Sequence, residues 1–166
     1  MTESSSSPSA AGPHADELRR ALRDLMRLHA LRDRVRAGAR GLTASGAHAM
    51  ELLAERGALS LNALARELCV DKSTASRTVG LLEDRGHVVR LADPRDGRAI
   101  RVELTAAGRA LEARLRHDAV AEAEAALAGF APEEREEALA LLRRLTHASA
   151  TRGDAAGALV DQEKDE

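Results

Sequence analysis

The chain of 166 residues has no tryptophan, no tyrosine and a single phenylalanine, Phe130. Without rings, a core has to be built from Leu, Ala and Val, and with 44% hydrophobic and 31% charged residues that supply favours packed helices over sheets. Cys69 is the only cysteine, so no internal disulfide can form and a reducing cytoplasm is the simplest compartment. No run approaches the ~18 apolar residues of a spanning helix, and the opening MTESSSSPSAAGP lacks the basic start and apolar stretch of a secretory signal. No membrane partner is expected. GxSxG, Walker and GxGxxG patterns are missing and the six histidines are scattered, so nothing marks an enzyme or a cofactor. Lysine is scarce too: of 25 basic residues all but Lys72 and Lys164 are arginine.

The net charge of −2 conceals an asymmetry. Residues 1–13 and 153–166 hold six acids against Lys164, which leaves residues 14–152 at +3. Much of that excess is local, because Arg85, Arg90, Arg95, Arg98 and Arg101 face only Asp93 and Asp96 between them. A short basic segment in a near-neutral chain suits a confined anion-binding surface, although a solvated charged hairpin has the same composition.

The length suits one domain or one subunit of an oligomer. Residues 1–13 are Ser/Pro/Ala-rich and residues 153–166 are acidic with little apolar periodicity, so both are expected to be disordered tails. Between them, Leu18, Leu22, Leu25, Leu28, Leu31 and Val35 recur at helical spacing over about 15–38. Thr43, Ser60 and Asp71 are placed as N-caps of three shorter helices, the first stopped by Gly57 and the last by Gly86. The period then changes. Residues 87–91 and 99–104 alternate, with Ile100, Val102 and Leu104 on one face, and the turn-rich Asp93-Pro94-Arg95-Asp96-Gly97-Arg98 between them predicts a hairpin. Thr105 opens another helix, and Pro132 sits in the first turn of a last one expected to bury Leu139, Leu142 and Leu145 and to end near 150. The fold class read from these elements is mainly α with a two-stranded β-hairpin.

Residues 60–77 carry the functional signal. A short amphipathic helix ends, Cys69-Val70 make a turn, and Asp71 caps a second helix; Val70, Ala65 and Ala75 permit close crossing of the two, and Val79 and Leu82 hold the second against the body. Lys72, Ser73, Thr74, Ser76 and Arg77 then remain outward on its first turns, where such donors reach phosphates or base edges in a major groove. An ordinary helix pair with a polar outer face is the plainer reading. The hairpin directly after it, tipped by Arg95 and Arg98, weighs against that reading, since a basic ribbon in this order can lie over a minor groove.

Leu64-Ala65, Val70 to Arg77, Leu82-Glu83-Asp84-Arg85-Gly86, Asp93-Pro94-Arg95 and Leu104-Thr105-Ala106-Ala107-Gly108 together resemble the multiple-antibiotic-resistance regulator (MarR) family over residues 15 to about 150. The resemblance implies a cytoplasmic transcription regulator, more a repressor than an activator. It also implies a winged helix-turn-helix module with a two-stranded β-wing over about 43–104, flanked by a helical dimerisation region over 15–38 and 105–150, in a homodimer whose first and last two helices interlock and whose winged modules grip a palindromic duplex. The helix from Asp71 would enter the major groove, and Arg95, steadied by Asp93, the minor groove. Two positions depart from the pattern. Gly80 lies inside the recognition helix, at a cost of about 1 kcal/mol against Ala. Cys69 holds a turn position where a small residue such as Gly is more usual, and is read as a partly buried turn residue.

Effector pockets in the family form between the dimer helices and the winged module, and His29, His48, Glu51, His117 and Asp118 lie on the corresponding helices. They are the candidates for a small-molecule effector of unstated identity. No metal site is assigned, because Cys-x-x-Cys and His-x-x-x-His are absent. A zinc-responsive regulator stays as the alternative, as does a helical dimer that binds no DNA.

Overall fold

The computed structural model describes the backbone of residues 13–92 and 100–162, and side chains over 14–92 and 100–149. Its elements are α1 (Pro13–Gly38), α2 (Ala44–Arg56), β1 (Leu59–Ser60), α3 (Leu61–Glu67), α4 (Lys72–Asp84), β2 (Val88–Ala92), β3 (Ile100–Leu104), α5 (Ala106–Leu127) and α6 (Pro132–Gln162). They fall into two compact units, one ending at Ala119 and one beginning at Val120.

In the first unit the helix starts follow from side chains that satisfy orphan N–H groups. Thr43 accepts from the Gly46 N–H at 3.0 Å, Ser60 from Ala63 at 3.1 Å and Asp71 from Thr74 at 2.8 Å. The core beneath is aliphatic. Met50, Leu64, Leu82, Val79 and Val102 are its largest fully buried side chains, joined by Val88, Leu104, Leu111 and Leu115. Each such burial contributes about 1.5–3 kcal/mol, and several together hold α2, α3, α4 and the sheet as one body.

The sheet is antiparallel in the order β1-β3-β2, with Val88 opposite Leu104, Arg90 opposite Val102 and Leu59 opposite Val102 on the other side. It therefore has three strands where the sequence suggested two. β1 is only two residues long, too short to show alternation, and Ser60 both pairs with Arg101 and caps α3. Val102 and Leu104 are buried as expected, but Ile100 on the same face is exposed because it lies at the wing end, beyond the core.

The second unit holds the end of α5 and α6. Ala131 precedes α6 and its N–H donates to Glu134 Oε2 at 2.7 Å, so the glutamate three residues on satisfies the cap from the far side. Leu139 and Leu142, expected to be buried, are each 47% exposed in the single chain. α6 also runs on to Gln162 rather than ending near 150, through Ala155, Ala156 and Ala158, which favour a helix and include no proline. Residues 1–12 and 163–166 of the expected tails lie outside the described residues. No helix among the described residues is long and apolar enough to cross a membrane.

Candidate nucleic-acid interface

α3 closes with two backbone bonds, Val70 N–H to Ala65 at 3.0 Å and Cys69 N–H to Arg66 at 3.0 Å, which place Cys69 at the left-handed position of a Schellman cap. Its φ is +54, the one positive value at a non-glycine among the described residues. The same cap recurs at the end of α4, where Gly86 (φ +72) holds the equivalent place. Cys69 is thus a side chain in a glycine position. It is exposed rather than partly buried, at the left-handed corner of the turn between α3 and α4.

The turn delivers Asp71 to the start of α4, where its carboxylate accepts three hydrogen bonds. It accepts from Ser73 Oγ at 2.5 Å, from Thr74 Oγ1 at 2.7 Å and from the Thr74 N–H. The Ser73 hydroxyl first, then Thr74, hold the Asp71 carboxyl well below the usual carboxylate range. Both hydroxyls lie within hydrogen-bond distance of the cap carboxylate, so Ser73 and Thr74 take part in the N-cap of α4. Ala75, Thr78, Val79 and Leu82 are buried beneath. On the same first turns Lys72, Ser73 and Arg77 are exposed and Thr74 and Ser76 half-buried.

The basic segment resolves differently from its composition. Arg85 donates to the Gly41 carbonyl, Arg101 to Ala58 at 2.5 Å, and Arg90 to Ser76 at 3.3 Å. Three of the five arginines are therefore braces between elements. The remaining two, Arg95 and Arg98, lie with Asp93 outside the described residues.

A cavity of about 560 Å³ opens between α1, α2 and α5. His29, His48 and Glu51 line it, whereas His117 and Asp118 do not; Asp118 is instead paired with Arg40. Sequence reading missed Glu112, whose side chain is only 10% exposed and lies 3.7 Å from Arg116. The available signal was a charge inside the buried stripe Gly108, Leu111, Glu112, Leu115 of α5. Among the described residues, no group of three or more His, Cys, Asp or Glu is placed to hold a metal ion.

The MarR family profile matches residues 42–100, from the end of the α1–α2 loop to the first residue of β3. A MarR family transcriptional regulator of known structure from Silicibacter pomeroyi is 30% identical with a TM-score of 0.64, over 75% of this chain and 84% of that one. The chain belongs to the MarR family. A curated relative, the HTH-type transcriptional regulator YybA of Bacillus subtilis, is 34% identical over 82 residues. That match takes in 49% of this chain and 55% of YybA, so the chain spans about half the length of the curated relative it matches. BpsR of Bordetella bronchiseptica, whose DNA binding is regulated by 6-hydroxynicotinic acid, is 26% identical with a TM-score of 0.65, over 84% of this chain and 98% of that one.

Within this MarR chain the Leu104-Thr105-x-x-Gly108 pattern has a structural content. Thr105 starts α5 by accepting from the Gly108 N–H at 3.0 Å, and its hydroxyl lies 2.7 Å from the Gly86 carbonyl at the exit of α4. The motif thereby ties the end of α4 to the start of α5.

Proposed function

We propose that this chain is a cytoplasmic, homodimeric repressor that binds a palindromic duplex and releases it when a small molecule occupies the α1–α2–α5 cavity. The observation that carries the DNA-binding part is the start of α4. Lys72, Ser76 and Arg77 face outward there, on a helix fixed by the Asp71 cap and by buried Ala75, Val79 and Leu82. Such a rigid helix start can enter a major groove, where Arg77 can donate two hydrogen bonds to a guanine while Lys72 meets phosphate. Arg95 and Arg98 extend the reading to an adjacent minor groove.

Apolar side chains left bare in the single chain support the dimer. Leu18, Leu25, Met26, Leu28, Leu31 and Val35 on α1 are exposed, as are Leu139, Leu141 and Leu142 on α6. Rows of leucine at helical spacing are costly in water and find cover in a second copy. The cavity with His29, His48, Glu51 and Glu112 supports the effector part, as does the regulation of BpsR by a small organic acid.

Selection of duplexes from a random-sequence pool by the full chain tests the reading. Enrichment of an inverted repeat is expected, with one dimer per site by sedimentation. Arg77→Ala should then cost about 1–3 kcal/mol on the selected duplex and relax one base position. A chain that enriches no sequence and shows no salt-dependent retention on duplex DNA refutes it.

A further inference from the structure

Arg90 stands on β2, the strand that leads into the wing, yet both of its polar contacts are to α4. One guanidinium nitrogen donates to the Ser76 carbonyl at 3.3 Å, and the other lies 3.5 Å from Glu83 Oε2. Ser76 and Glu83 are about two turns apart on α4. A single planar fork on the neighbouring strand therefore touches α4 through the backbone of one residue and the side chain of another two turns on, a geometry that lysine does not reproduce.

The two partners remain about one-third exposed, 34% for Arg90 and 37% for Glu83, so solvent screens the pair and it adds little to folding. Its consequence is geometric. Ser76 lies on the outward first turns of α4, beside Arg77, and β2 leaves α4 through Gly86 and His87. A duplex that meets both α4 and the wing requires a fixed angle between them.

We infer that Arg90 is a positioning residue that locks the first wing strand to the recognition helix, so that both reach one duplex in register. The inference rests on the DNA-binding reading above. The competing account makes Arg90 a phosphate contact in its own right, and Glu83 separates the two. Glu83→Gln removes a negative charge from the DNA-binding module, so by charge alone it tightens binding to every duplex. If Glu83 acts by holding Arg90, the same change weakens discrimination between sequences.

The experiment uses the full chain, a duplex enriched by the parent from a random pool, and a scrambled duplex of equal length, titrated by fluorescence anisotropy. Arg90→Ala and Glu83→Gln are each expected to lower the ratio of selected to scrambled affinity about tenfold, equivalent to about 1.4 kcal/mol, while a cooperative thermal transition is kept. Arg90→Lys should show much of the same loss. A Glu83→Gln chain whose ratio matches or exceeds the parent's overturns the inference, whatever Arg90→Ala does and even if that variant fails to fold. A parent that enriches no duplex overturns the DNA-binding reading itself, whereas a parent that binds while Glu83→Gln keeps its discrimination overturns only the role of Arg90.

Discussion

The backbone of His87 occupies the space that a side chain at position 108 would need. A Cβ on Gly108 would fall inside the van der Waals shell of the His87 carbonyl oxygen and 2.9 Å from its carbonyl carbon, while that oxygen accepts from the Thr105 N–H at 3.0 Å. The start of α5 and the start of β2 are thus in backbone contact, and the last residue of the Leu-Thr-x-x-Gly pattern is a glycine because nothing larger fits. Gly108→Ala should destabilise the chain by about 3 kcal/mol, the upper part of the range for overpacking a closed site, read as a fall in the urea midpoint. An unchanged midpoint would mean that the two backbones separate freely.

Gly80 predicts the opposite sign. It sits inside α4 with open space within 4 Å of where an alanine methyl would stand and no positive φ, so the substitution meets neither clash nor strain. Gly80→Ala should raise stability by about 0.5–1 kcal/mol through the lower entropy of its unfolded chain. Urea denaturation of both glycine variants side by side checks the pair.

Cys69 carries a third stability prediction. Its φ of +54 places a β-carbon in the left-handed region, where L residues pay about 1–2 kcal/mol, part of which returns as unfolded-state entropy when glycine is substituted. Cys69→Gly should therefore stabilise the chain by about 0.5–1 kcal/mol. A loss of stability would show that the thiol makes a contact worth more than the strain.

The Asp71 cap predicts a pH dependence. Its hydrogen bonds from Ser73 and Thr74 depress the folded-state pKa below the ordinary 3.8, so the stabilisation is fully present above 3.8 and disappears as the pH falls through the lower folded value. Asp71→Asn removes the charge, and the gap in melting temperature between parent and variant should narrow only below pH 3.8. A gap that already closes near neutrality would assign it to another group.

Zinc offers a test of the alternative effector. His29 and His48 line the cavity, but His117 does not and Asp118 is held by Arg40, so the candidate ligands are not gathered. Added zinc should leave the melting temperature unchanged. A saturable rise that His48→Ala removes would restore the zinc-responsive reading.

Much of the winged module is legible in the sequence because its rules are local. Thr43, Ser60 and Asp71 cap the helices they precede, since a cap needs only a short acceptor and an N–H two or three residues on. The helical spacing of Leu61, Leu64 and Leu68 and the alternation of Val102 and Leu104 survive for the same reason. The candidate site is less legible. Glu112 enters the cavity wall on a helix where the sequence pointed instead to His117 and Asp118, and the bonds that tie the Ser73 and Thr74 hydroxyls to Asp71 appear only in the folded cap.

By itself the sequence determined the order of every element but β1, the caps of α2, α3 and α4, and a family membership carried by short motifs. Each depends on residues a few positions apart, where covalent geometry limits the outcomes. The tertiary structure alone decided what the arginines do. Arg85, Arg90 and Arg101 sit within one short basic run, but their partners Gly41, Ser76 and Ala58 lie 44, 14 and 43 residues away. A charge count sees the cation and not the carbonyl that receives it. The same holds for Gly108, whose need for a bare α-carbon arises only when the chain has folded the backbone of His87 against it.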